Sequence, residues 1–161
     1  MIKKLQNTKI EVSKKIHAVF QASYTVAAKI LKAIDSPPLS SPLKNYKESK
    51  TDFLGFIKNK ELAGVIEIKH ANDHSRIASL VIKPDCFRQG IASQLIGFVF
   101  NTTYDSGIFI VETGLINGPA NGLYKKFGFI EVSQWDTEFG IRNIRLKRNL
   151  NISNRGAIEL E

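Results

Sequence analysis

The segment LVIKPDCFRQGIASQLI, residues 80–96, constrains this chain more than any other. The apolar run IASLVIK ends at Pro84, which has no amide to give to a ladder, so a strand stops there. After Gly90 the apolar residues Ile91, Leu95, Ile96, Val99 and Phe100 recur at helical spacing and predict a helix to about Tyr104, with Gly90 in its first turn. The first-turn amides of a helix have no intrahelical acceptors and lie at the positive end of its dipole, so they can hold an anion. A side chain at Gly90 would keep phosphate oxygens away from those amides. Ala92 is small for a similar reason, and Arg88 and Gln89 can add a charge and a donor from the loop. A glycine at such a junction also serves as a plain tight turn, so this junction alone does not identify a ligand.

The remaining pattern supplies the layers around that junction. Ile16, Val19, Phe20, Tyr24, Ala27, Ile30, Leu31 and Ile34 predict one long or two shorter amphipathic helices between Ile10 and Ile34. SPPLSSP cannot continue a helix and reads as a loop that could border a site, with a short polar helix after it to about Thr51. A hairpin follows, with strands at Phe53 to Lys58 and Leu62 to His70 around a turn at Asn59-Lys60. Beyond the central helix come a buried-type strand, GIFIVET, a helix in GPANGLYKKFG closed by Gly128, and two final strands, FIEVSQW and IRNIRLKRN. The order predicts one α/β domain with a mixed sheet over residues 1–150, and a mobile tail over residues 151–161.

Composition removes several alternatives. Of 161 residues only one is cysteine, Cys86, so no intramolecular disulfide forms and a thiolate metal site lacks ligands; a reducing, cytoplasmic setting is expected. The longest apolar runs are too short to span a bilayer, and the first residues, MIKKLQNTK, lack the apolar block of a secretory signal. The net charge of +8 draws any anionic partner, whether nucleic acid, membrane surface or a phosphate-rich cofactor, without choosing among them. No RNA- or DNA-binding motif is readable, which argues against a nucleic-acid module.

The order VIKPDCFRQGIASQLI, then NGPANGLYKKFGF, resembles the two signature motifs of the GNAT superfamily of acyl-CoA-dependent N-acetyltransferases. The first is a pyrophosphate loop, Q/R-x-x-G-x-G/A, after an L-x-V-x-P strand. The second, N-x-x-A-x-x-L-Y-x-K-x-G-F, is matched by Asn117, Ala120, Leu123, Tyr124, Lys126, Gly128 and Phe129. One position departs: Phe87 stands where glutamine or arginine is usual, so that polar contact is lost.

The resemblance implies a GNAT-like, mostly antiparallel sheet with a central splay between the fourth and fifth strands, flanked by helices. It implies acetyl-CoA as co-substrate, an amine acceptor and direct transfer through a ternary complex. Backbone groups of Leu80, Val81 and Ile82 would meet the pantetheine arm, and the loop and helix start from Arg88 through Gln89, Gly90, Ile91, Ala92 and Ser93 would cradle the phosphates. Asn117 and Ala120 would contact the cofactor, and Tyr124 would sit near the thioester sulfur as proton donor to the leaving thiolate.

A base for the amine is not carried by the motifs, since the strand position that supplies it in histone-type members is Arg76 here. Glu112, at the end of a central strand, is the preferred candidate, with Glu67 and His70 behind it. Strand alternation keeps Glu67 and His70 on opposite faces. Cys86 has no readable Cys-His-Asp partners, His70, Asp73 and His74 lack a further ligand, so no metal is expected, and Trp135 and Phe139 are assigned to packing of the last hairpin. An exposed last strand could pair across a homodimer. A basic nucleic-acid-binding module and a non-catalytic acyl-CoA sensor on the same fold are the rival classes, and the acceptor amine is not encoded in either motif.

Overall fold

The computed structural model describes residues 1–31, 41–102, 107–115, 117–138 and 140–149. The expected mobile tail, the end of the SPPLSSP loop's first part through Ser40, Tyr104 and Phe139 lie outside them. Seven strands, β1 (Ile2–Leu5), β2 (Asp52–Lys58), β3 (Glu61–His70), β4 (Ser75–Ile82), β5 (Ile108–Gly114), β6 (Ile130–Asp136) and β7 (Arg142–Asn149), form one sheet in the order β1-β2-β3-β4-β5-β7-β6. Four helices are described: α1 (Ile10–Leu31), α2 (Leu43–Lys47), α3 (Ile91–Asn101) and α4 (Gly118–Lys126). The mixed, mostly antiparallel α/β architecture expected from the sequence is the one observed, with β4 and β5 the parallel pair.

Two compact units divide the described chain, and β3 and β4 run through both. In the first unit (residues 1–68 and 79–103), Ile16, Val19 and Phe20 of α1 and Tyr46 of α2 pack with Phe53, Leu62, Val65 and Val81 of the sheet. The Phe20 ring lies 4.8 Å from that of Tyr46 and 6.4 Å from that of Phe53. Strand alternation turns Gly64 toward Ile91 of α3 and Val65 and Glu67 the other way, so β3 is covered on both faces and reads as a continuous apolar run. The β2–β3 turn has Asn59 at φ 51° and Lys60 at φ 67°, the paired left-handed residues of a type I′ hairpin.

In the second unit (residues 69–78 and 104–161), Phe109, Val111, Tyr124, Phe129, Ile144 and Leu146 are buried. The end of α4 is a Schellman motif. Gly128, at φ 88°, donates to the Lys125 carbonyl at 3.0 Å, and Phe129 donates to that of Tyr124 at 3.1 Å. The accompanying apolar contact is the Tyr124–Phe129 ring pair, edge to face at 5.6 Å. A Cβ on Gly128 would also lie 3.2 Å from Arg148 Nη1, a group that donates to the Phe127 carbonyl. Gly128→Ala is therefore expected to lower stability by about 1–2 kcal/mol, measured by urea unfolding.

Three sequence expectations change. The N-terminal residues form an edge strand, β1, paired antiparallel with β2 from Ile2↔Phe56 to Leu5↔Phe53; its lysines hide the strand pattern and are typical of protected edges. The last strand, β7, is interior, between β5 and β6, so the edges are β1 and β6 and a β7-paired dimer is not available. The central helix ends at Asn101, short of Tyr104.

Candidate active site

Within the first unit, β4 passes Ile82 into a loop fixed at its start by the Lys83 amide, which donates to the Ala63 carbonyl at 2.8 Å. Pro84–Cys86 make a single 3-10 turn, and the backbone then takes a positive φ at Arg88 (62°) and Gly90 (76°) before α3 begins. Gly90 is thus the N-cap of α3 and not a residue of its first turn. No side chain caps the helix and no acidic residue occupies its first turn. The early amides at Ile91, Ala92 and Ser93 are those that a helix leaves without intrahelical acceptors. A Cβ built on Gly90 meets nothing within 4 Å.

Loop side chains are placed as the sequence suggested in part. Gln89 accepts from the Lys58 ammonium through its Oε1, and Phe87 is exposed. Val81 is buried, whereas Leu80 and Ile82 are half-buried. Gly64, which sequence reasoning did not single out, sets how closely β3 meets this junction. A Cβ there would lie 2.7 Å from Ile82 Cδ1, 3.0 Å from Ile91 Cγ2 and 3.3 Å from the Val81 carbonyl. A glycine inside an otherwise apolar strand was the available signal. Gly64→Ala is expected to cost about 1–3 kcal/mol by overpacking, again read from urea unfolding.

The parallel ladder between β4 and β5 pairs Ser75–Ile77 with Phe109–Val111. Among the described residues it goes no further, although β4 runs on to Ile82 and β5 to Gly114.

Glu67 also lies in the first unit, on the α1 side of β3. Its Oε2 accepts from Thr51 Oγ1 at 2.7 Å and its Oε1 from Ser79 Oγ at 3.1 Å. No ammonium or guanidinium pairs with it among the described residues. Tyr24 hydrogen-bonds Ser79, and burial raises its phenol above the ordinary value; burial pushes Tyr46 up to about 12, and the Glu67 charge adds to both shifts. Both phenols are therefore neutral, near a carboxylate with no cationic partner among the described residues.

In the second unit, Asn117 is the N-cap of α4, its Oδ1 accepting from the Ala120 amide at 3.3 Å, so donation through Nδ2 is what it can offer a ligand. Asn121 is buried and was not anticipated. Its Nδ2 donates to the carbonyls of Gly114 (3.2 Å) and Leu115 (2.9 Å), pinning the end of β5 to α4, while its Oδ1 has no partner among the described residues. Tyr124 is buried on the same helix, locked by the Schellman turn and Phe129. Glu112 is engaged by two guanidiniums, Arg145 Nη2 at 3.2 Å and Arg76 Nη2 at 3.5 Å, with Arg145 its direct cross-strand partner and stacked 5.9 Å over Trp135.

The remaining sequence candidates are spoken for. His74 contacts Asp73 at 2.8 Å and His70 contacts Ser75 at 3.3 Å, and among the described residues no group of three or more His, Cys, Asp or Glu could hold a metal ion. Burial, then the neighbouring Asp85, push the Cys86 thiol up, the reverse of an activated nucleophile.

A family profile described as "Acetyltransferase (GNAT) domain" matches residues 21–150. A curated relative, UPF0157 protein YqkA of Bacillus subtilis, is 33% identical over 129 residues; the match takes in 80% of this chain, and the chain spans 38% of the relative's length. Solved structures share the fold at low identity. An N-acetyltransferase from Staphylococcus aureus superposes with a TM-score of 0.73 at 14% identity, covering 94% of this chain and 98% of that one. The PaiA N-acetyltransferase of Thermoplasma acidophilum, in complex with coenzyme A, gives 0.70 at 20%, covering 92% and 98%. The Escherichia coli ribosomal-protein-S18-alanine N-acetyltransferase gives 0.70 at 16%, covering 94% of each. The profile match over residues 21–150, most of the chain, shows the family: the chain belongs to the GNAT family of acetyltransferases.

Proposed function

We propose that this chain transfers an acetyl group from acetyl-CoA directly to a primary amine, with Tyr124 as acid and Glu67 as base. The observation that carries the reading is the start of α3, an uncapped helix N-terminus led by Gly90 in the left-handed region, where a Cβ built on the glycine meets nothing within 4 Å. Amides from Arg88 to Ser93 hold the phosphates, the β4 backbone at Leu80–Ile82 meets the pantetheine amides, and Asn117, with its Nδ2, and Ala120 serve the cofactor from α4. A cytoplasmic site of action and a homodimer remain compatible proposals, the latter through an edge strand.

The acceptor enters as an ammonium, attracted by a carboxylate that carries hydroxyl donors and, among the described residues, no cation. Glu67 takes its proton, the free nitrogen attacks the thioester carbonyl carbon, and the C–S bond breaks as the tetrahedral intermediate collapses. Tyr124 gives its proton to the departing thiolate and is reprotonated, through solvent, as the acylated nitrogen sheds its second proton; Glu67 releases the first to solvent, so the products are the acetamide, CoA-SH and one proton. Glu67 is preferred to Glu112 as base because the Glu112 carboxylate is already engaged by two guanidiniums.

Glu67→Gln tests this assignment. At pH 7 kcat/KM for the amine is expected to fall by about 100-fold, as read by free-thiol release, with CoA affinity unchanged. The defect should shrink as pH rises toward the acceptor's own pKa, where the amine arrives deprotonated. A defect constant across pH would assign Glu67 to packing, and an equal loss in Glu112→Gln but not in Glu67→Gln would move the base to Glu112.

A further inference from the structure

A separate cavity of about 400 Å³ lies in the first unit, among β1, the first turns of α1 and the β2–β3 hairpin. Its lining includes Lys3, Lys4, Lys9, Lys15 and Lys60 and no acidic residue, and its floor is aliphatic: Leu5, Val12, Ile57 and Leu62. Lys4 pairs with Asp52 at 3.2 Å, while the other four ammoniums have no acidic partner among the described residues. Lys9 and Val12 bring the N-terminal end of the 22-residue helix α1 to the same rim; Glu11, in its first turn, offsets the dipole there and is not part of the lining.

Four ammoniums without an acidic partner around one cavity repel one another, so an anion seated there removes repulsion as well as adding attraction. An aliphatic floor beneath an ammonium rim does not suit a bare inorganic ion, which gains nothing from apolar contact. It suits a molecule with both parts, and the volume falls within the ordinary range of small-molecule sites. None of the residues assigned above to acetyl-CoA or to the acceptor lines this cavity.

We propose that this cavity binds an amphiphilic organic anion, an aliphatic group bearing a phosphate or carboxylate, with the headgroup on the lysines and the chain against Leu5, Val12, Ile57 and Leu62. The proposal stands independently of the acetyl-transfer reading. A free metabolite and a lipid headgroup share this chemistry, and the two sources are separated by the probes.

Octyl phosphate, kept below its micelle concentration, is titrated calorimetrically into the full chain, beside inorganic phosphate and vesicles of phosphatidylglycerol in phosphatidylcholine. One saturable site for octyl phosphate is expected, with phosphate alone at least tenfold weaker. The triple variant Lys9→Ala, Lys15→Ala, Lys60→Ala should weaken octyl phosphate by about tenfold, three partly exposed ion pairs contributing a few tenths to 1 kcal/mol each. CoA titration of the same variant controls for folding and should be unchanged. Octyl phosphate and vesicles both bound in a lysine-dependent way supports a lipid source, and octyl phosphate alone supports a free ligand. Absence of saturable octyl phosphate binding at millimolar concentration, equal affinity for inorganic phosphate, binding to vesicles only, or a triple variant that binds as well as the parent would each overturn the proposal.

Discussion

Tyr124→Phe is expected to lower amine-dependent thiol release by about 100-fold or more while CoA affinity stays within about twofold. The substitution deletes one oxygen and keeps the ring, so the edge-to-face pair with Phe129 and the Schellman turn that fixes the residue both survive. Thiolate departure then depends on water, and the loss should be greatest where C–S cleavage limits the rate. A variant that keeps full turnover would remove Tyr124 from the chemistry, whereas a parent protein that binds CoA yet releases no thiol with any amine would make the chain a sensor.

The second large effect lies at Gly90. Asparagine and aspartate tolerate its φ of 76° better than other non-glycine residues, and their side chains project into space that is empty of protein. Gly90→Asn is expected to weaken CoA by about fivefold through crowding alone. Gly90→Asp adds a like charge beside the proposed phosphates, which is expected to weaken CoA by roughly 100-fold, about 3 kcal/mol. The difference between the two variants isolates charge from shape. Equal affinities would mean that no phosphate lies in front of α3.

Much of the fold was legible because local chemistry and tertiary demand agree. The Asn59-Lys60 turn, the Pro84 stop and the Gly128 stop fall where the sequence put them, each being fixed by backbone conformation within a few residues. What was missed depends on partners distant in sequence. β1 is a strand because β2 offers it a ladder, and its alternating pattern is masked by Lys3 and Lys4. The interior place of β7 follows from sheet order, which no local pattern encodes. The glycine-led start of α3, on which the proposed donor site rests, was readable for the same reason as the turns, since it is a local device. The acceptor half was not: Glu67 stands apart from Glu112 only once Thr51, Ser79 and Tyr24 are seen around one carboxylate, and Arg76 and Arg145 around the other.

Holding a pyrophosphate at the start of α3 is tested most directly by calorimetric titration of the protein with CoA and, in parallel, with pantetheine, which has the same arm and thiol and no phosphates. Saturable one-to-one binding of CoA, at least tenfold tighter than pantetheine and weakened by Gly90→Asp, is the predicted result. No saturable CoA binding at millimolar ligand, or equal affinity for pantetheine, would contradict it.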